Sequence, residues 1–537
     1  MVCSLLSPRT TNCRQGVIEY DWARRLSERL PVGECFFVCG EAPDLQLMVR
    51  FSMSSTPSSQ SVARESQHAP VSPAAEPPRG PSRRSFLTTS AKAATAAGLS
   101  GTLLSGHVIP PVHAAGSDAI NVALIGCGGR GGGAAADALS VPGGRVKVVA
   151  MADVFQGQID IIKRSLASSF KERVDVPDDR SFVGFEAYKQ AVDCLDPANG
   201  DIALFATPPA FRAVHFAYAI EKGVNVFMEK PVSIDGPSTK RMIALAAKAE
   251  QKNLKVGVGL MCRHCVARQE LFDRLQDGQA GELINFYGYR QHNPPHNLDL
   301  APGIPAGMTE LQWQVKRFHN FLWGSGGIYS DYYVHHVDEV CWMKNAWPVS
   351  AQATGGRHYK GVIDDQNFDN YAVQYDFADG SKFFYSGRVM KNCLQQFGVF
   401  GQGTKGAFTI SGSGHSPAKS VLYKSQKMAD DNVLWAAKQP EPNPYRTEWV
   451  DLVAAIEADT PYNEVKRGAE ASLVTAMGRF AAHTGRLVTF DEMMECPDDL
   501  TAGVAELKDD SPAPLLADAD GRYPTPQPGR YQFEFRD

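Results

Sequence analysis

The chain has no apolar run approaching the roughly 20 residues that a membrane span needs, so a spanning helix is excluded. It has little excess of either charge. The formal net charge of −5 gives no basic surplus that would mark nucleic acid or an anionic membrane as partner. It lacks a cysteine framework: seven cysteines follow Ala114, an odd number at irregular spacing, so obligatory disulfides are not expected. Cys262 and Cys265 have the spacing of a zinc or redox pair, but no second pair of that spacing exists. They are expected as buried thiols, and no metal site is expected. An internal repeat is also missing. What is present is ordinary for a soluble globular protein, with 43% hydrophobic and 21% charged residues, and 537 residues suffice for two full-sized cores.

The first part of the chain is of a different kind. Residues 54 to 82 are rich in Ser, Pro and Ala and read as disordered. Ser82-Arg83-Arg84-Ser85-Phe86-Leu87 follows, then a weakly hydrophobic segment from about Ala91 to Ile109, then small residues at Val112-His113-Ala114. Charge, apolar run and cleavage site come in the order of a twin-arginine export signal. Such a route carries folded proteins, so the expected location is periplasmic or otherwise exported, with the export machinery as a partner. Residues 1–52 stand unusually far upstream and read as an extension or a mis-called start, with Met53 a candidate start.

The most informative stretch is INVALIGCGGRGGGA, residues 120–134. An apolar run ends at Gly126, and Gly126, Gly128 and Gly131 fit G-x-G-x-x-G. Gly126 permits a tight strand-to-helix turn, Gly128 lets a pyrophosphate approach the backbone, and Gly131 lets the helix pack close to the strand. The helix start then offers free N–H groups and a positive dipole end. A second apolar run from Val146 ends in Ala152-Asp153. A carboxylate there suits a ribose diol and opposes a 2′-phosphate, favouring NAD over NADP. Apolar runs at 202–206, 224–228 and 256–259 alternate with helical patterns at 213–221 and 239–252. This alternation predicts a doubly wound parallel sheet, an α/β Rossmann unit over 116–259 after a disordered and signal region over 53–115. Ligands bind at the carboxyl ends of such strands. Two ends stand out, Ala206-Thr207-Pro208-Pro209 and Glu229-Lys230-Pro231.

Beyond Leu260 the pattern changes. A strand-like run at 283–289 leads into a long segment, 290–327, rich in Pro, Asn, His and Gly, before a helix expected to start near Asp331. Period-two runs at 370–377, 382–388, 397–400 and 407–410, with Asp379-Gly380 as a hairpin turn, predict an α+β domain over 260–498 with a largely antiparallel sheet. Helical 445–457 and 468–484 are expected to close its core. The tail, 499–537, is Pro- and Asp-rich and is expected to wrap a surface. The open face of the second sheet predicts a dimer or tetramer.

Asp331 and His335 stand at i, i+4 and share one helix face, where a carboxylate can orient an imidazole and raise its basicity. His336 points away from that face. Asp338 could face the pocket or serve as a helix-surface acid. Lys230, at a strand end facing the crevice, can donate to a substrate oxygen. A fallback base lies near His292 and His296.

These residues carry a resemblance. The segments VALIGCGGRG, ATPP at 206–209, EKP at 229–231, GGIYSDYYVHHVDE at 326–339, FGQGTKGAF at 400–408 and HTGRLVTFDEM at 483–493 resemble the glucose–fructose oxidoreductase, inositol dehydrogenase and rhizopine-catabolism (Gfo/Idh/MocA) family. The resemblance implies a dehydrogenase acting on a sugar, cyclitol or sugar derivative with tightly bound NAD. It implies that Lys230, Asp331 and His335 converge on the substrate hydroxyl: His335 takes the proton, Lys230 holds the oxygen and Asp331 orients and charge-balances the pair. The cofactor-binding set is Gly126, Gly128, Gly129, Arg130, Gly131, Asp153, Thr207, Pro208, Glu229 and Lys230. Tyr332, Tyr333 and Val334 replace the small residues that the family often has between Asp and His, and the aromatic 290–323 segment departs from it too. The alternative implied is NAD-dependent glycoside hydrolysis through transient oxidation, as in a related branch. A nucleotide sensor without chemistry is disfavoured by the intact Lys230, Asp331 and His335.

Overall fold

The computed structural model describes residues 119–295, 303–358 and 365–530. The segment expected to be disordered, the expected twin-arginine signal, Met53 and His296 lie outside the described residues. Strands β1 (Ile120–Ile125), β2 (Val146–Asp153), β3 (Ser181–Val183), β4 (Ile202–Phe205), β5 (Asn225–Met228) and β6 (Val256–Val258) form one parallel sheet in the order β3-β2-β1-β4-β5-β6. Every residue of β4 and β6 is buried. A strand apolar on both sides needs cover on both faces, which is why these runs read as continuous rather than alternating. Val122, Leu124 and Phe227 face one layer of helices, and Ala123, Ile125 and Val226 face another. The strand order reverses between β1 and β4, so a crevice opens beyond their carboxyl ends.

The second sheet holds β7 (Leu283–His292), β8 (Ser350–Gly356), β9 (Asn370–Asp376), β10 (Lys382–Val389), β11 (Gln396–Gly403), β12 (Ala407–Ser411), β13 (Val421–Tyr423), β14 (Val433–Ala436) and β15 (Val488–Thr489), in the order β14-β13-β12-β11-β7-β10-β9-β8-β15. Its pairings are antiparallel except β7 with β10. Burial alternates along β9 and β10, the period-two signature of a sheet with one covered face. Their turn holds because Gly380 takes φ +86° and Ser381 donates from N and Oγ to Asp379 Oδ1.

Two expectations need correction, and one segment gains an element. The helix expected near Asp331 runs Gly327–Lys344, because Asn367 Oδ1 accepts the Ile328 N–H (2.7 Å) and holds its first turn. The segment 290–327, for which no element is expected, holds a short helix of its own. Thr309 and Gln312 form a reciprocal capping box that starts the helix Glu310–Lys316. The helix Pro444–Glu457 does not close the second sheet's core. Its Trp449, Leu452, Val453 and Ile456 pack beneath the parallel sheet, where Trp449 stacks on Phe227 with centroids 4.3 Å apart. The tail lies along 310–323: Gln314 donates to the Leu515 carbonyl, and Tyr523 meets the Phe321 ring edge-on.

The helix Gly327–Lys344 is buried nearly all round. Its Val334 belongs to the parallel sheet's core, while Tyr329, Tyr333 and Val337 belong to that of the second sheet. A helix in that place must pair every polar group it carries. Asp338 therefore does not face the pocket or solvent: it is fully buried and takes Arg263 in a forked contact at 2.7–3.1 Å. Glu339 accepts from Arg268 (3.3 Å) and Ser411 (3.1 Å), and His336 Nδ1 meets the Tyr385 hydroxyl at 3.1 Å. Cys262 and Cys265 are buried free thiols, and burial pushes both up from the ordinary thiol range.

Two stability effects follow from this packing, both measurable by denaturant unfolding. Trp449→Ala should cost about 3–5 kcal/mol, the cost of emptying a large buried aromatic site, and a loss under about 1 kcal/mol would contradict its place beneath the sheet. Arg263→Ala should cost about 3–5 kcal/mol by stranding the Asp338 charge, whereas Arg263→Met with Asp338→Leu should recover most of that. Equal destabilisation by the single and double variants would contradict the pairing.

Candidate active site

The crevice beyond β1 and β4 holds two cavities with shared walls. The first, about 250 Å³, is bordered by Asp153, Phe155, Tyr188, Phe211 and His215. The second, about 430 Å³, is bordered by Glu229, Lys230, Arg290, Asp331, His335 and His415. Gly128, Gly129, Ala206, Thr207 and Phe318 line both.

The glycine turn is built as its spacing demands. Gly126 has φ +94°, and a Cβ on it would come 2.6 Å from the Ala206 carbonyl carbon. A Cβ on Gly131 would strike the Gly126 oxygen at 1.9 Å. Around Gly128 and Gly129 there is open space, with nothing within 4 Å of either Cβ position. Close approach of a pyrophosphate to this backbone is therefore sterically free, and the helix Gly129–Leu139 starts there with no side-chain cap on its N–H groups. Asp153 ends β2 at the wall of the first cavity. Its oxygens accept from the Cys127 N–H (2.7 Å) and the Phe155 N–H (2.9 Å), which fixes the carboxylate toward the turn. Each oxygen keeps a lone pair for a ribose diol. These features fit a dinucleotide such as NAD.

Other members of the expected cofactor set are tied into the same rim. Arg130 Nε lies 3.0 Å from Glu229 Oε1. Thr207 Oγ1 meets His215 Nδ1 at 3.2 Å, and the Thr207 carbonyl accepts from the buried Arg212 at 3.0 Å. Pro208 lines the first cavity. Burial holds His215 down to about 3, so it is neutral near pH 7.

In the second cavity the structure brings Lys230, Asp331 and His335 together, although 101 residues separate Lys230 from Asp331. Lys230 Nζ donates to the Asp331 carbonyl at 2.6 Å and lies 3.9 Å from its carboxylate. Asp331 does not orient His335, as the i, i+4 spacing suggested. Its carboxylate faces His319, with Nδ1 at 2.8 Å from Oδ2. Burial alone would raise the Asp331 carboxyl, but Lys230, His319 and Arg290 outweigh it and hold it at about 2. Burial, then His415, Lys230 and Arg290, push His335 well below the ordinary imidazole range. His335 is thus a neutral ring, buried, with Nδ1 unpartnered and its ring centroid 4.4 Å from that of His415. Lys230 is lowered by burial, a shift that Asp331 and Glu229 oppose.

His319, His415 and Arg290 join the site without having been singled out as its residues. They come from 290–323 and from the turn after β12, which carry no motif. The one available signal was the aromatic, His-containing character of 290–323. His292 ends β7 and stacks on Tyr332 at 6.0 Å rather than lining the cavity. Cys262, Glu339 and His415 bring potential metal-ligating atoms within 4.8 Å of one another. Arg268 already neutralises Glu339, and a cation there would meet that buried guanidinium.

Comparison with known proteins agrees with this geometry. Residues 120–259 match the family described as an oxidoreductase family with an NAD-binding Rossmann fold. Inositol 2-dehydrogenase of Corynebacterium glutamicum is 24% identical over 169 residues, 32% of this chain and 42% of that protein, so the chain spans less than half of that relative. Two solved structures share the fold. Aldose–aldose oxidoreductase of Caulobacter crescentus, in complex with glycerol, aligns at 17% identity with a TM-score of 0.52, over 69% of this chain and 99% of that one. Scyllo-inositol dehydrogenase of Lactobacillus casei, with NAD(H) and scyllo-inositol, aligns at 18% identity and 0.51, over 70% and 99%. On the glycine turn, the strand order and this match, residues 120–259 form an NAD-binding Rossmann unit similar to that of the matched oxidoreductase family.

Proposed function

We propose that the protein is an NAD-dependent oxidoreductase that interconverts a secondary alcohol and a carbonyl on a sugar, cyclitol or sugar derivative. The observation that carries this reading is His335: a neutral imidazole lining one cavity with Lys230 and Asp331, next to the open backbone of Gly128 and Gly129. NAD, when bound, supplies the two-electron acceptor. Its expected holders are the 126–131 turn, Asp153 and the rim formed by Arg130, Thr207, Pro208, Glu229 and Lys230.

The chain's own residues then have separable tasks. The His335 ring takes the proton of the substrate hydroxyl, which requires the ring to be neutral beforehand. Lys230 donates to the same oxygen in both its alcohol and carbonyl states. Asp331 holds the Lys230 charge in place through its carboxylate and its backbone carbonyl, and its partner His319 fixes the carboxylate. The inositol dehydrogenase among the relatives and the aldose oxidoreductase among the structural neighbours favour polyhydroxylated substrates.

The catalytic assignment is tested by single-turnover reduction of bound NAD at 340 nm. Lys230→Met, Asp331→Ala and His335→Ala should each keep NAD and lose about 10²–10⁴-fold in rate. His336→Ala should lose far less, since its ring is bound to Tyr385 outside the cavity. A dead His336→Ala beside a near-normal His335→Ala would reverse the roles. Because the His335 pKa is depressed, its base form persists below pH 6.5. The acidic limb of kcat/KM should therefore lie below 6.5 and disappear in His335→Ala; a limb at pH 7 or above that survives the substitution would exclude His335. Asp153→Ala should shift binding from NAD toward NADP; an unchanged preference would remove Asp153 from cofactor selection.

A further inference from the structure

The second cavity has more positive than negative side chains. Lys230 faces Asp331, and Arg130 faces Glu229. Arg212 is fully buried and directed onto the carbonyls of Phe205 and Thr207. That leaves Arg290. It ends on β7 of the second sheet, not on the cofactor-binding sheet, and it lines the cavity. Its guanidinium lies over two rings, 5.1 Å from the Tyr332 centroid and 4.7 Å from that of Phe397. Its polar contacts are the Tyr332 carbonyl and His415 Nε2 at 3.3 Å, and Nε is buried without a partner. Among the described residues no carboxylate pairs with it. His415 adds no charge of its own, because burial holds it down to about 4 and leaves it neutral.

An unpaired guanidinium at the wall of a partly desolvated cavity is costly unless an anion completes it. The pyrophosphate of a dinucleotide is served by the glycine turn on the other sheet and does not need Arg290. The two rings restrict the guanidinium's rotation, and Nη2, with no hydrogen bond among the described residues, is left to donate to a carboxylate. We propose that the substrate is a sugar acid or carboxylated cyclitol, with Arg290 holding the carboxylate while Lys230 and His335 act on a hydroxyl. This rests on the oxidoreductase reading above and names the substrate class of the same site.

The test is titration calorimetry of the NAD-loaded protein with matched ligands: glucuronate and galacturonate, their parent hexoses, and glucose 6-phosphate. One hexuronate should bind about 10–100-fold more tightly than its hexose, the range of one or two charge-assisted hydrogen bonds. Arg290→Gln should abolish the difference and Arg290→Lys should restore part of it, with NAD retention reporting that each variant is folded. Equal binding of each hexuronate and its hexose by the unmodified protein overturns the proposal without any variant. Tighter binding of glucose 6-phosphate than of both hexuronates also overturns it, in favour of a phosphate. Reduction of bound NAD is read in the same samples. A hexuronate preference with no reduction by any ligand would leave the anion site standing and remove the oxidoreductase reading. Reduction without a preference does the reverse.

Discussion

The structure depends on one buried helix. Gly327–Lys344 is the shared wall of two cores, and it carries Asp331, His335, His336, Asp338 and Glu339 where water cannot solvate them. Each such group costs several kcal/mol unless paired. The chain answers with partners drawn from distant segments: Arg263 for Asp338, Arg268 for Glu339, Tyr385 for His336, and Lys230 with His319 for Asp331. Of the two histidines, His336 is held by Tyr385 away from the cavity, whereas His335 lines it.

The same pairing explains how two sheets of different kinds build one site. The parallel sheet supplies the glycine turn, Asp153 and Lys230 at its carboxyl ends, where strand order reverses. The second sheet supplies Arg290 from β7 and His415 from the turn after β12. The buried helix stands between them and fixes their spacing. Pro444–Glu457, which comes late in the chain, returns to cover the parallel sheet, with Trp449 against Phe227.

Much of this was legible in the sequence, because it is written in local patterns. The G-x-G-x-x-G turn, the doubly buried runs at 202–205 and 256–258 and the period-two strands 370–376 and 382–389 depend on neighbours a few residues away. What was illegible depends on long-range packing. Nothing local shows that Trp449 lies under the parallel sheet, or that Asp338 is consumed by Arg263, 75 residues away. The i, i+4 rule correctly placed Asp331 and His335 on one wall, but it could not show that His319 intercepts the carboxylate. Arg290 and His319 went unselected because an isolated cation or imidazole in an irregular segment has no pattern until the fold supplies its surroundings.

The central claim is that the two cavities form one site, with cofactor along the first and the reacting group in the second. The structure of the NAD complex tests it most directly. The account predicts the pyrophosphate on the 128–131 backbone, the adenosine ribose at Asp153 and the nicotinamide in the cavity of Lys230 and His335. A nucleotide bound in the opposite direction, or with its pyrophosphate on Arg290, would contradict it.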